Sequence, residues 1–375
     1  MASHAPGKMI LTAGPSITEL EIGYVTDAVT NGWNSNWAGY LNRFEKAFAG
    51  YLGTKHAMST SSCTGGLHLS LLGLGVGPGD EVIVPEITWV ATASAVKYTG
   101  ATPVFVDVLP DSWCMDTDRL EAAITPKTKV IVPVHIYGHP TYMPAVMDIA
   151  RKHGLRVMED AAPALGATVH GQQVGSFGDL ACFSFQGAKI MTTGEGGMVV
   201  SSDDALMERV RFIADHGRHP TIPFLIQEVG YKYKMSNLQA AMGLAQIERI
   251  EELVGKKRVI YDWYKADLAG VPEVTLNAEK PWARSIQWMS SVVLADGIDR
   301  AAVMAGLKAK GVDSRPFFPP VSSFPMFESQ QHKNPVAYRV GAQGVNLPSG
   351  HNLTREEVGT VSAALKQTLA EVAPK

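Results

Sequence analysis

Lys189 stands between an apolar run, LACFSF (180–185), and a glycine-rich turn, GEGG (194–197). An amine placed there can form an imine with a carbonyl compound. A second apolar run, LRVMED (155–160), ends on Asp160, a carboxylate able to keep a pyridine nitrogen protonated so that the ring draws electrons from a bound substrate. Upstream, STSSCTGGLHLSLLGL (59–74) gathers hydroxyls and small residues at what reads as a helix N-terminus, where free N–H groups and the helix dipole favour an anion such as phosphate. Trp89 offers an aromatic face, and Ser184 a further hydroxyl. Amine, acid, anion cradle and aromatic face together match the needs of pyridoxal phosphate, and no metal is expected. Singly each has a plainer reading, since strand-end Asp residues cap turns, Ser-Thr-Gly clusters form loops and most Trp residues pack in cores. Their order along one chain is what carries the inference.

Those groups need a scaffold that brings them together. EVIVPEI (81–87), TPVFVDV (102–108), KVIVPVHIYG (129–138), LRVMEDA (155–161) and LACFSF are short β-branched apolar runs, each reading as a strand buried on both faces. Helical patterns such as MPAVMDIARKHG (143–154) separate them, so the fold class is α/β with a mostly parallel sheet. In such sheets reactive groups collect past the carboxyl ends of the strands, which puts Trp89, Asp160, Ser184 and Lys189 at one crevice. SITEL (16–20) suggests a capping box of Ser16 and Glu19. MSNLQAAMGLAQIERIEELV (235–254) suggests another, Ser236 with Gln239, opening a single long amphipathic helix. From about residue 256 the signals change to mixed strand and helix (SIQWMSSVVL, RAAVMAGLKAKG), so a large domain over 1–255 and a smaller C-terminal α/β domain over 256–375 are expected.

Composition narrows the partners. The chain has 375 residues with 33 basic and 36 acidic side chains, a net charge of −3 and no basic run, which argues against nucleic acid or an anionic membrane surface. The opening MASHAPGKMILTAG lacks an apolar core of the export type and no 18-residue apolar run follows, so a cytoplasmic protein is expected. Cys63, Cys114 and Cys182 are odd in number and far apart, unlike a disulfide framework or a zinc site.

Taken together, GYLGTKHAMSTSSCTGGLHLSL, EVIVPEITWVATASAV, GATPVFVDV, VHIYGHP, VMEDAAPALGA, GSFGDLACFSFQGAKIMTTGEGGMVV and GYKYKMSNLQAAMGLAQIERI resemble the DegT/DnrJ/EryC1/StrS aminotransferases, sugar aminotransferases of fold type I. GVDSRPFF and GVNLPSG extend the likeness to nearly the whole chain. The resemblance implies that Lys189 carries the cofactor and moves protons, that Asp160 pairs with the pyridine nitrogen, and that Trp89 stacks on the ring. Ser62, Cys63, Thr64 and Ser184 would surround the phosphate. Two departures stand out. Pro163 replaces a Gln that relatives often use near the ring hydroxyl, and GYKYK replaces GYNYR, leaving Lys232 as a point charge for the phosphate in the neighbouring subunit. A homodimer with shared active sites follows from that role.

The implied reaction takes an amino group from an amino acid, L-glutamate by family habit, and delivers it to a nucleotide-linked keto-deoxy sugar, with a 4-keto-6-deoxyhexose as in perosamine synthesis the expected acceptor. A related dehydrating branch carries His at the lysine position, so Lys189 argues against it. Arg315 suits phosphate oxygens of such a substrate, and Trp33, Tyr137 and His216 are further candidates to line the site. Alternatives are a keto-cyclitol of the scyllo-inosose type as acceptor, lyase or aldolase chemistry on the same lysine and acid, and a regulator that binds pyridoxal phosphate without turnover.

Overall fold

A computed structural model describes residues 9–330 and 333–372. The opening stretch read for an export signal therefore lies partly outside the described residues. Before residue 202 the strands are β1 (His56–Thr60), β2 (Glu81–Pro85), β3 (Thr102–Val106), β4 (Thr128–Ile131), β5 (Arg156–Asp160), the short β6 (Thr168–Val169) and β7 (Gln172–Gln173), β8 (Leu180–Ser184) and β9 (Gly197–Ser201). The larger sheet has the order β1-β9-β8-β5-β4-β2-β3. β8, β5, β4, β2 and β3 run parallel, and β9 is antiparallel to both of its neighbours.

The continuous apolar runs are buried from both sides. Val82 and Val84 pack with Leu67 of α3 (Cys63–Gly73), Val96 of α4 (Ala91–Tyr98) and Val210 of a helix at Asp204–Ala214. Ile83, pointing the other way, joins Met143, Val146 and Ala150 of the helix Met143–His153. Strand alternation thus feeds two cores. A third layer forms where α2 (Gly39–Leu52), which follows α1 (Glu19–Asn31), sets Phe44 and Phe48 against Phe183 and Phe185, with ring centroids 5.1 to 5.6 Å apart across the pairs. Truncating any of these fully buried rings to Ala costs about 3–5 kcal/mol and loosens the floor beneath the Lys189 loop.

Three local expectations need correction. Helix α1 is capped by Thr18 with Glu21, two residues later than Ser16 and Glu19, because the Thr18 hydroxyl and Glu21 carboxylate bond each other's backbone ends. The pattern over 235–254 is two helices, Asn237–Glu248 and Ile250–Asp267. The chain turns at Arg249, whose guanidinium is drawn to Glu21 at 2.6 Å and Glu252 at 2.8 Å. The box of Ser236 with Gln239 is present as read. Finally, the strands expected from the sequence do not include β1 and β9, and both belong to the main sheet.

The helix Ile250–Asp267 runs across residue 255, so the chain leaves the large sheet inside a helix rather than in a linker. Beyond it lies a four-stranded antiparallel sheet in which Val274–Leu276, Ser290–Leu294, Gly344–Leu347 and Arg315–Pro316 are neighbours in that order. Its core joins Ile260, Tyr264, Val292, Leu307 and Leu365 with Ile10, which bridges to Val312.

Ser322 and the stretch 334–337 lie against the large sheet and are fastened there by two buried acids. Glu86, just after β2, accepts from the Ser322 amide at 2.8 Å and the Asn334 side-chain amide at 2.6 Å. Asp107, just after β3, accepts from the amides of Val336 and Ala337 at 3.1 and 2.8 Å, the first turn of the helix Pro335–Gln343. A carboxylate at a helix N-terminus satisfies donors that have no partner within the helix.

Candidate active site

Lys189 lies on the loop joining β8 to β9, and the antiparallel pairing of those strands closes the loop at its base. The Phe185 amide donates to Gly196 O at 2.9 Å and the Thr193 amide to Phe185 O at 2.9 Å. Gly194 has φ +81, a conformation that side chains resist. A Cβ on Gly197 would come within 2.6 Å of the Cys63 amide nitrogen, so the bare backbone there lets β9 lie against the start of α3. Within the loop, the Lys189 amide donates to Gln186 O at 2.8 Å, which turns its side chain toward the cavity.

Asp160 ends β5 and is 4% exposed. Its Oδ2 accepts from the Thr92 hydroxyl at 2.7 Å and its Oδ1 from the Ala162 amide at 3.1 Å. Thr92 in turn lies 3.0 Å from Thr88 Oγ1. Having one hydroxyl proton, committed to Asp160, Thr92 accepts from Thr88. Beneath, His135 and Glu159 are fully buried and 3.1 Å apart. The His135 Nδ1 accepts from the Thr141 amide, so its Nε2 carries the proton given to Glu159. Glu159 also takes the amides of Gly175, Phe177 and Gly178, each at 2.8 Å. This network pins the carboxyl ends of β4 and β5.

A cavity of about 470 Å³ joins these groups. Ser62, Cys63, Thr64, Trp89, Asp160, Ser184, Lys189 and Arg315, all named from the sequence, line it. Ser62 is the N-cap of α3, its hydroxyl oxygen accepting the Gly65 amide at 3.1 Å, and its hydroxyl proton is left to donate elsewhere. The amides of Cys63 and Thr64 have no acceptor within the helix. Trp89 is 58% exposed, its ring 5.7 Å from that of Phe318. Arg315 is exposed on the strand beside Asn346.

Burial sets the charges in the cavity. It pushes the Asp160 carboxyl up against the pull of the Thr92 and Ala162 donors and the Lys189 amine. It lowers the Lys189 ammonium to about 8, with Asp160 and Cys63 opposing. The Cys63 thiol is held well above its ordinary range, chiefly by burial, so it stays neutral. A buried carboxylate surrounded only by uncharged donors favours a cationic ring nitrogen beside it, and hydroxyls with open helix amides favour a phosphate. The residues present thus fit pyridoxal phosphate.

Three residues lie off this cavity within one chain. Trp33 is 57% exposed and donates its indole N–H to Val29 O at 2.6 Å. His216, at φ +64, sits in the turn after the helix Asp204–Ala214 with its amide bonded to Tyr231 O. Lys232 is exposed and bridges backbone to backbone with Asp215. Its neighbours Tyr231 and Tyr233 turn the other way, against His68 of α3. Sequence reasoning missed Thr92 and Trp288, both on the cavity wall. Thr88 precedes the helix that carries Thr92, and nothing in the T-W-V-A-T spacing marks Thr92 as the partner of Asp160. Pro163 lines the cavity where relatives often carry Gln, and Tyr137 lines it with its hydroxyl accepting the Phe318 amide at 2.9 Å.

The chain is similar to known proteins over most of its length. The chain is 42% identical over 369 residues to GDP-perosamine synthase of Caulobacter vibrioides, covering 96% of this chain and 98% of that protein. It is 38% identical over 328 residues to a UDP-N-acetyl-3-dehydro-alpha-D-glucosamine 3-aminotransferase of Acidithiobacillus ferrooxidans, covering 87% of each. A solved structure of a candidate sugar aminotransferase, Spr1654 from Streptococcus pneumoniae, in its PLP form superposes with a TM-score of 0.92 at 29% identity, covering 98% of this chain and 100% of that one. The model of the DegT/DnrJ/EryC1/StrS aminotransferase family matches residues 15–366, a span that includes the lysine loop, the acid and the cradle. On these matches, this chain belongs to the DegT/DnrJ/EryC1/StrS aminotransferase family.

Proposed function

We propose that this pyridoxal-phosphate-dependent aminotransferase works as a cytoplasmic homodimer, taking its amino group from L-glutamate and placing it on the keto group of a GDP-linked 4-keto-6-deoxyhexose. The observation that carries the chemistry is the shared cavity of Lys189 and Asp160, an amine made less basic by burial and so available as the neutral nucleophile, facing a carboxylate whose hydrogen-bond donors are uncharged. When bound, the cofactor supplies an electron sink that lets a proton leave one carbon and return to another. Lys189 holds and moves that proton, because its amine gives it up near pH 8 rather than at the ordinary 10.5. Asp160, oriented by Thr92 and Ala162, keeps the ring nitrogen protonated. Ser62, Thr64 and Ser184 hold the phosphate, and Trp89 covers the ring.

The acceptor assignment draws on the likeness to GDP-perosamine synthase and on Arg315, an exposed guanidinium at the cavity wall with geometry suited to diphosphate oxygens. Lys232 faces away from its own cradle and is assigned to the phosphate of the second subunit's cofactor. The test is a panel: a GDP-linked 4-keto-6-deoxyhexose, a UDP-linked 3-keto sugar and scyllo-inosose, each with glutamate, analysed by mass spectrometry. Amination of the first substrate alone is the expected result. Preference for the cyclitol sinks the acceptor assignment. Conversion of the cofactor to its amine form by glutamate, read by absorbance, separates transamination from lyase or regulatory roles.

A further inference from the structure

We propose that Trp288 is the positioning residue of the lysine: its indole face is the seat on which the free ε-amine of Lys189 rests between covalent engagements. This rests on the assignment of Lys189 as the cofactor-bearing residue. The Lys189 Nζ lies 3.8 Å from the centroid of the Trp288 ring. The indole N–H donates at 2.7 Å to the carbonyl of Ala188, the residue just before the lysine, so one side chain grips both the backbone and the amine of the loop.

The ring itself is fixed from behind. Trp288 is 4% exposed, and Tyr137 stacks near it at 6.2 Å and 23°. Its carbonyl accepts from the buried amine of Lys257 at 3.1 Å. Two neighbours hold left-handed backbone that non-glycine residues avoid, Gln287 at φ +53 and Tyr137 at φ +50. Between them Gly138 presses so close that a Cβ there would lie 2.7 Å from the Trp288 amide nitrogen. Conformational strain on both sides of the ring, with a buried amine bonded to its carbonyl, marks a side chain whose placement the fold enforces rather than tolerates.

The chemistry explains why a seat is needed. Once a substrate amine displaces it from the cofactor, Lys189 is a flexible side chain that must stay within reach and exchange protons. An aromatic face attracts the ammonium without neutralising it, unlike a carboxylate in contact. The groups that act on this proton are Asp160 on β5, Cys63 on α3, the surrounding apolar wall and the Trp288 face. Burial favours the neutral amine; Asp160 and the ring favour the charged one.

The test uses the full chain freed of cofactor. Lys189 is labelled with trace acetic anhydride across a pH series, and its acetylation is followed by peptide mass spectrometry in the native chain, in Trp288→Leu and in a chain bearing a fluorinated tryptophan at position 288. Fluorination keeps the shape and weakens the ring face. Removing the ring is expected to lower the midpoint by roughly half to one pH unit, and fluorination to lower it by a smaller step in the same direction. In the loaded enzyme kcat falls roughly 10-fold with the glutamate KM little changed, because the seat serves the proton step. An unchanged labelling profile in the folded fluorinated chain overturns the proposal, even if Trp288→Leu does not fold. Failure of borohydride to fix cofactor on Lys189 of the native enzyme would instead overturn the assignment of the lysine, a result the labelling does not touch.

Discussion

The hydroxyl of Thr92, in the first turn of the helix after β2, donates to Asp160 Oδ2 at the end of β5 across 2.7 Å. Residues 68 positions apart thereby fix the angle at which the acid meets the cavity. Thr92→Val keeps the shape but leaves Oδ2 without this donor, and the half reaction with glutamate is expected to slow roughly 10- to 100-fold, the range set by an unmet buried partner. Thr92→Ser should recover most of the rate. Asp160→Ala should slow the same absorbance change by several orders of magnitude, on the order of 10³ or more, since a neutral ring is a poor electron sink.

Lys189→Ala should fold, bind the cofactor's amine form and show no turnover. Borohydride treatment followed by mass spectrometry should add cofactor mass to the native chain and none to the variant. Normal rates in the variant contradict the role assigned to this amine.

The lowered ammonium of Lys189 sets a pH dependence. Only the neutral amine attacks an aldehyde, and burial brings its midpoint to about 8. The rate at which cofactor-free protein recombines with pyridoxal phosphate is therefore expected to rise through about pH 8 and level off above it. A rise continuing toward the ordinary 10.5 of lysine would show the amine to be solvated.

Lys257 gives a stability test. Burial lowers its ammonium to about 7, below the 10.5 of an unfolded chain. Between these values the unfolded state binds the extra proton, so this residue makes stability rise with pH across that window. From pH 7 to 9 the native chain should gain about 2 kcal/mol relative to Lys257→Met, read from urea midpoints. Lys189 adds to the slope equally in both proteins and cancels.

Arg315→Ala should raise the KM for the nucleotide sugar roughly 10-fold, the scale of one charge-assisted bond, and leave the glutamate half reaction unchanged. A matched loss in both half reactions would move Arg315 to the cofactor phosphate.

Much of the site was legible because its chemistry sits where strands end. Lys189, Asp160, Trp89 and Ser184 follow apolar runs whose two-faced burial is plain in the sequence, and sheet topology then gathers them. Trp288 and Thr92 were not legible. Trp288 reaches the lysine from the second lobe, and nothing local in SIQWMSSVVL distinguishes a wall residue from a core one. Strand β9 hid behind GEGG because its apolar run, Met198 to Val200, is only three residues long. The break at Arg249 arises from a tertiary attraction to Glu21, 228 residues away, which helical periodicity does not record. Trp33, His216 and Lys232 share chemistry suited to a site, yet one chain folds them onto its outer surface.

Glu86 and Asp107 stitch the far lobe to the parallel strands with four donated hydrogens, none of them from a cation. Unzipping that seam would strand two carboxylates in an apolar interior, a penalty of several kcal/mol. The side chains of Trp89 and Arg315, exposed and lining the cavity, mark the rim by which ligands reach it. Remodelling of acceptor preference belongs on that rim, where side chains can be exchanged without unfastening the lobes.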